Sequence, residues 1–196
     1  MIDEFAKEYL HDELRWVREA LVSKLDGLSE YDVRRPLTAT GTNLLGLIKH
    51  LSVVEARYFS EVFNRQFREP LPRWDDATAW GSDMWATADE ERDEIIDRYR
   101  RAWEYADETI DTLPLDAPGY VPWWPRSDVK LFNVMVHILT ETSRHAGHAD
   151  ILREQLDGSV GTGSQATILH GHDEGYWEGQ RARIERAASA WQATTP

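Results

Sequence analysis

The sequence predicts an all-α fold: a four-helix bundle with a long crossover connection between its second and third helices and a C-terminal helical extension. Three observations point there. Apolar residues recur at three- and four-residue steps through four long stretches. No stretch alternates with the period of two that a half-buried strand needs. The prolines fall between the periodic stretches and never inside them, as helix interiors require.

The first helix is expected over residues 4–26, with Gly27 as its stop. Leu10, Leu14, Val17, Leu21, Leu25 and Leu28 form its apolar stripe, and Arg15, Arg18, Glu19 and Lys24 fall mostly outside it. Arg35-Pro36 and Gly41 interrupt the pattern over 29–43, where Ser29-Glu30-Tyr31-Asp32 suits a short helical turn. The second helix follows over 43–64 on Leu44, Leu47, Leu51, Val54, Tyr58 and Val62, with His50 at the border of the stripe. Periodicity then fails from 66 to 86, a connection long enough to cross over the structure or to cover a site.

Thr87-Ala88-Asp89-Glu90 has the form of a capping box. It opens the third helix, to 112, with Ile95, Ile96, Tyr99, Trp103, Tyr105 and Ile110 as core positions. After Pro114 and Pro118-Gly119, Ser127 is the expected N-cap of the fourth helix, with Asp128 in its first turn. That helix runs to 156 on Val134, Ile138, Leu152 and Leu156 and stops at Asp157-Gly158. Residues 159–172 read as a Gly/Ser/Thr-rich linker, and a charged last helix over 173–191 would pack through Trp177, Ile184 and Trp191. The expected division is a bundle domain over 1–158 and a linker plus C-terminal helix over 159–196.

Composition narrows the function. With 41% hydrophobic and 29% charged residues the chain reads as globular. It has no apolar run of membrane-spanning length, nor the basic start and apolar core of a signal peptide, so a cytoplasmic location is expected. A net charge of −13 repels a phosphate backbone and an anionic membrane alike, which argues against both as partners. A small-molecule substrate is the expected partner, and a homodimer the candidate assembly. Cysteine is absent, so any reacting sulfur must arrive on a small molecule. Of nine tryptophans, Trp74, Trp80, Trp85, Trp123 and Trp124 lie in the loops. They either cap the ends of the bundle or wall a cleft. Capping is the expectation for most, and the cleft for one of Trp123 and Trp124.

The chemistry concentrates in His137, Glu141, His145 and His148, which fall within an arc of roughly 80° on one helix. Imidazole and carboxylate bind zinc and similar ions, and an i, i+4 pair can reach one ion. With His50 facing them from the second helix, His50, Glu141 and His145 are the candidate ligand set, leaving positions open for water and substrate as in catalytic rather than structural sites. Zinc is the first expectation for the ion, with nickel, iron and manganese as alternatives on the same donors. His148 and Arg144 are candidates to orient a ligand or touch an anionic substrate, and His137 to stand beside the set or at the surface. No catalytic acid or base stands out. The plain alternatives are a satisfied core-border His50, a Glu141 paired with Arg144, Arg57 or Arg92, and solvated His170 and His172. Gly147 is either tolerated helix strain or the close approach of a neighbouring helix.

Leu44-Leu45-Gly46-Leu47-Ile48-Lys49-His50-Leu51, followed by Glu141-Thr142-Ser143-Arg144-His145-Ala146-Gly147-His148-Ala149-Asp150, resembles the DinB-like superfamily of YfiT-type metal-dependent hydrolases and thiol transferases. Trp123-Trp124-Pro125 and Arg153-Glu154 are similar to its uncharacterised actinobacterial branch. The resemblance covers residues 5–160. It implies a four-helix bundle with a central divalent ion held by one histidine of the second helix and two residues four apart on the last. Many members carry histidine where this chain has Glu141, and the glutamate resembles relatives of mycothiol-dependent maleylpyruvate isomerase. The implied activity is activation of a small thiol, mycothiol or bacillithiol, for transfer to or isomerisation of an electrophile. A non-catalytic metal- or ligand-binding stress-response bundle is the alternative.

Overall fold

The computed structural model describes residues 2–72, 76, 78–79, 81–161 and 173–192. Trp74, Trp80, His170 and His172 lie outside them. The fold is all-α: helices α1 (Ile2–Ser23), α2 (Glu30–Arg34), α3 (Leu44–Ser60), α4 (Arg92–Thr112), α5 (Leu131–Asp157) and α6 (Glu174–Gln192). Its contacts divide the chain into two compact units, residues 1–158 and 159–196.

Within the first unit α3 packs on α4 and α5, and α1 on α5 and α4, so each long helix has two long neighbours. The apolar stripes meet between them. Leu14, Val17, Leu21 and Leu25 join Leu44, Leu47, Leu51, Tyr99, Ile110, Val134, Ile138 and Leu152 in one buried core. Local chemistry sets the ends. Asn43 caps α3 through Gly46 N–H at 2.8 Å, Ser29 caps α2, and Gly158 closes α5 at a φ of +77°.

Four features depart from the sequence reading. Arg18 and Lys24, expected off the apolar stripe, are buried. Arg18 donates to Asp107 at 2.7 Å and to Glu55, and Lys24 Nζ lies 2.6 Å from Asp150, so partners on other helices compensate each charge. α4 begins at Arg92, five residues after Thr87. The Glu90 carboxylate does accept the Thr87 N–H at 2.8 Å, but it also takes the Lys49 ammonium at 2.8 Å, which ties the box to α3 as a turn. α5 begins at Leu131 because Asp128–Lys130 (β2) pairs antiparallel with Pro118–Tyr120 (β1) in a short ladder that periodicity does not reveal. A Cβ on Gly119 would sit 2.9 Å from side-chain atoms of Val62 and Phe63, so glycine lets this hairpin seat against the end of α3. In the second unit, Trp177 and Ile184, expected to pack, are exposed.

The long connection between α3 and α4 carries a 3-10 turn, Ser82–Met84, that lies on α3. Three residues on one side of α3 hold it. Asn43 Nδ2 donates to the Met84 carbonyl at 3.3 Å, and Lys49 Nζ donates to the carbonyls of Ser82 and Trp85, each at 3.0 Å. A Cβ on Gly46 would fall 2.0 Å from the Met84 oxygen. The close backbone approach is therefore at Gly46; Gly147, the residue the sequence singled out, has nothing within 4 Å of its Cβ direction.

Candidate metal centre

His50 on α3 faces Glu141 and His145 on α5 across the α3–α5 contact. One ligand atom from each lies within 4.8 Å of the others. His145 Nε2 is 3.1 Å from Glu141 Oε1, and His50 Nε2 is 3.9 Å from the same oxygen. The two rings meet edge to face with centroids 5.0 Å apart.

The tautomer of His50 follows from its other nitrogen. Nδ1 lies 2.7 Å from Asp83 Oδ2, and the hydrogen bond from His50 holds the Asp83 carboxyl below its usual pKa range. An ionised carboxylate only accepts, so Nδ1 carries the proton and Nε2 turns a lone pair toward Glu141. Burial pushes the pKa of His145 down, and the nearby His50 adds to this, so His145 is neutral at pH 7. His50 Nε2, the Glu141 carboxylate oxygen and His145 Nε2, which is hydrogen-bonded to that oxygen, thus converge. They repel one another unless a cation or a proton joins them, and the donors suit zinc, nickel, iron or manganese.

The other candidates divide. His148 is exposed, with Nδ1 3.3 Å from His145 Nδ1. Arg144 is exposed, 3.5 Å from Glu141 Oε2. His137 is half-buried, its ring 4.8 Å from those of Tyr58 and Trp124, and burial lowers its pKa. Arg57 reaches the Pro72 carbonyl and Arg92 the carbonyls of Leu25 and Leu28, so of the three candidate arginines Arg144 is the one paired with Glu141. Trp85 is exposed and is not in the lining of the cleft beside the group.

Beside the three residues opens a cleft of about 410 Å³, lined by His50, Glu141, Val54, Arg57, Tyr58, Trp123 and His137. Trp123 is in its wall. Trp124 stands behind, and both indoles donate to the Tyr58 hydroxyl, at 3.0 and 2.9 Å. The β1–β2 hairpin accounts for their place, since its turn carries both rings to Tyr58.

Sequence reasoning missed Asp83 and the polar role of Tyr58. Asp83 lies in an aperiodic stretch, and only the glycine in Leu45-Gly46-Leu47 hinted that backbone would come close there. That contact is testable. Asp83→Ala removes the acceptor that orients His50, and Gly46→Ala forces the Ser82–Met84 turn off α3. Both are expected to weaken divalent-metal affinity by about 10–100-fold in chelator competition, the usual loss when a histidine ligand's outer partner is removed.

These features define a class: all-α proteins in which facing helices bring a two-histidine, one-carboxylate group to the wall of an open cleft. A family model for mycothiol-S-transferase matches residues 9–158. The chain belongs to that family, a thiol S-transferase branch of the DinB-like superfamily. No curated protein matches the chain. No helix among the described residues is long and apolar enough to cross a membrane.

Proposed function

We propose that this protein is a divalent-metal-dependent transferase that uses a low-molecular-weight thiol of the mycothiol type, with His50, Glu141 and His145 holding the ion within a four-helix bundle of the cytoplasm. The observation that carries it is the convergence of His50 Nε2, Glu141 Oε1 and His145 Nε2 at the edge of an open cleft, in a chain of this family. Zinc is the first candidate for the ion. When bound, a divalent ion lowers the pKa of a thiol brought to it.

The residues supply the rest. Asp83 fixes His50 by accepting from Nδ1–H. Burial keeps His145 neutral and available as a donor. Glu141 contributes a negative charge that partly offsets a dication, so the site discriminates less strongly in favour of anions than three imidazoles would. Val54, Trp123 and the Tyr58 ring give the cleft its apolar wall, and Arg57 gives it a positive edge. With no cysteine in the chain, no protein thiol competes with the small one.

The test is turnover. With zinc supplied, the protein is expected to accelerate consumption of mycothiol by an electrophile such as iodoacetamide, and a chelator is expected to abolish the acceleration. Metal binding with no thiol-dependent turnover across a panel of electrophiles would sink the transferase reading and leave a non-catalytic metal-binding bundle.

A further inference from the structure

The Tyr58 hydroxyl is bonded in an unusual way. An indole N–H can only donate, so the 3.0 and 2.9 Å contacts from Trp123 Nε1 and Trp124 Nε1 fill both lone pairs of the phenol oxygen. The oxygen can then take part in one more hydrogen bond, as the donor of its own proton. Among the described residues none accepts a hydrogen bond from it; both of its protein contacts are accepted from the indoles. Rotation cannot resolve this, because the ring is held against Trp123 at 5.6 Å and His137 at 4.8 Å. Tyr58 lines the open cleft, so an acceptor for that proton can come from the cleft, water at rest and a ligand oxygen when one is bound.

We infer that Tyr58 is the oxygen subsite of the cleft: its O–H donates to the oxygen of an electrophile on which negative charge develops as sulfur attacks. Tyr58, His50 and Glu141 line the same cleft, so a substrate there lies beside both Tyr58 and two of the three converging groups. The subsite assists carbonyl-conjugated alkenes and epoxides, whereas iodomethane has no oxygen for it to hold. In addition to a conjugated ketone, the sulfur pair forms the new C–S bond, the alkene pair moves toward the carbonyl carbon, and the carbonyl pair moves onto oxygen. Tyr58 keeps its proton and shares it in a hydrogen bond that strengthens as charge builds; the carbon beside the carbonyl then takes from solvent the proton that the thiol released. The two indole donors hold the hydroxyl in place before substrate arrives, which is where such a donor contributes most. Arg57 on the same wall favours the charged oxygen.

This inference rests on the transferase reading, and its test separates the two. Tyr58→Phe is compared with the parent protein, zinc and mycothiol supplied, on 2-cyclohexen-1-one and on iodomethane. For the ketone kcat/KM is expected to fall about 100-fold, as when one oxyanion donor is lost, and for iodomethane by no more than about threefold. The iodomethane arm also reports that the variant is folded and metal-loaded. Equal losses on both electrophiles, or no loss on the ketone, overturn the subsite. If the parent protein turns over neither, the transferase reading fails, and binding of 4-nitrophenolate, followed by its absorbance, judges the subsite alone. Affinity at least about tenfold tighter for the parent than for Tyr58→Phe supports it, and equal affinity overturns it.

Discussion

Protein purified without a histidine tag is expected to carry stoichiometric divalent metal, and His145→Ala prepared beside it none. The variant removes one of three donors and leaves a small cavity in a part-buried wall, so fold and metal can be judged apart: the circular dichroism spectrum is expected to survive while the ion is lost. Loss of one direct ligand should weaken affinity by more than the roughly 10–100-fold seen when an outer partner is removed. His50→Ala and Glu141→Gln should behave alike, the latter because it keeps shape and loses charge. His148→Ala, which removes only the exposed contact to His145 Nδ1, should fall well short of them. Acid should release the ion. Both imidazoles must be neutral to bind it, so affinity is expected to fall as the pH is lowered. Burial lowers the pKa of His145, so that ring stays neutral to lower pH than a free imidazole would. Elemental analysis of the parent and the four variants at pH 7.5 and pH 5 checks all of this. Equal metal in parent and His145→Ala would remove the site.

The parts of this centre differ in how they were written in the sequence. Glu141 and His145 are one turn apart on a helix with no proline, so their shared face needs only the 100° step of the backbone. His50 depends on which helix faces which, which periodicity leaves open, and its one mark in the sequence is a place at the edge of an apolar stripe. Asp83 had no such signal. Its position depends on a carbonyl resting where Gly46 lacks a side chain, a contact between residues far apart in sequence that no periodicity encodes. Tyr58 was hidden in another way. It falls on the apolar stripe of α3, and a stripe reports the ring but says nothing of the hydroxyl at its end. The β1–β2 hairpin was hidden because two three-residue strands are too short to show alternation. Arg18 was misread for the complementary reason: a charge beside an apolar stripe is most often solvated.

Arg18→Ala is expected to destabilise the fold by about 3–5 kcal/mol, the range seen when one partner of a buried ion pair is removed. That is a large part of the roughly 5–15 kcal/mol that holds a domain folded. Arg18 is 1% exposed and Glu55 is 0% exposed, and they meet in the core, with Asp107 also taking the guanidinium at 2.7 Å and His11 at 2.8 Å. Burial opposes the guanidinium's charge, but Glu55 and Asp107 outweigh it and keep Arg18 ionised. Burial pushes the Glu55 carboxyl up to about 7 even with Arg18 beside it. Burial also acts against Asp107, but His11 and Arg18 overcome it and hold that carboxyl below its usual range. The pH dependence follows by sign. Glu55 is raised in the fold, so the folded chain binds a proton that the unfolded chain, with its value near 4.5, has released. Its contribution is full below about 4.5 and is lost as pH rises through about 7. Without Arg18 the folded value moves higher still, so urea unfolding of Arg18→Ala should give its largest deficit at pH 8 and a smaller one at pH 6. A double replacement, Arg18→Met with Glu55→Met, removes both charges together and should cost far less than Arg18→Ala alone, since apolar substitutes for a buried pair are often neutral or stabilising. If the double variant were as unstable as the single one, packing volume rather than uncompensated charge would be the cause, and the pH trend would vanish with it.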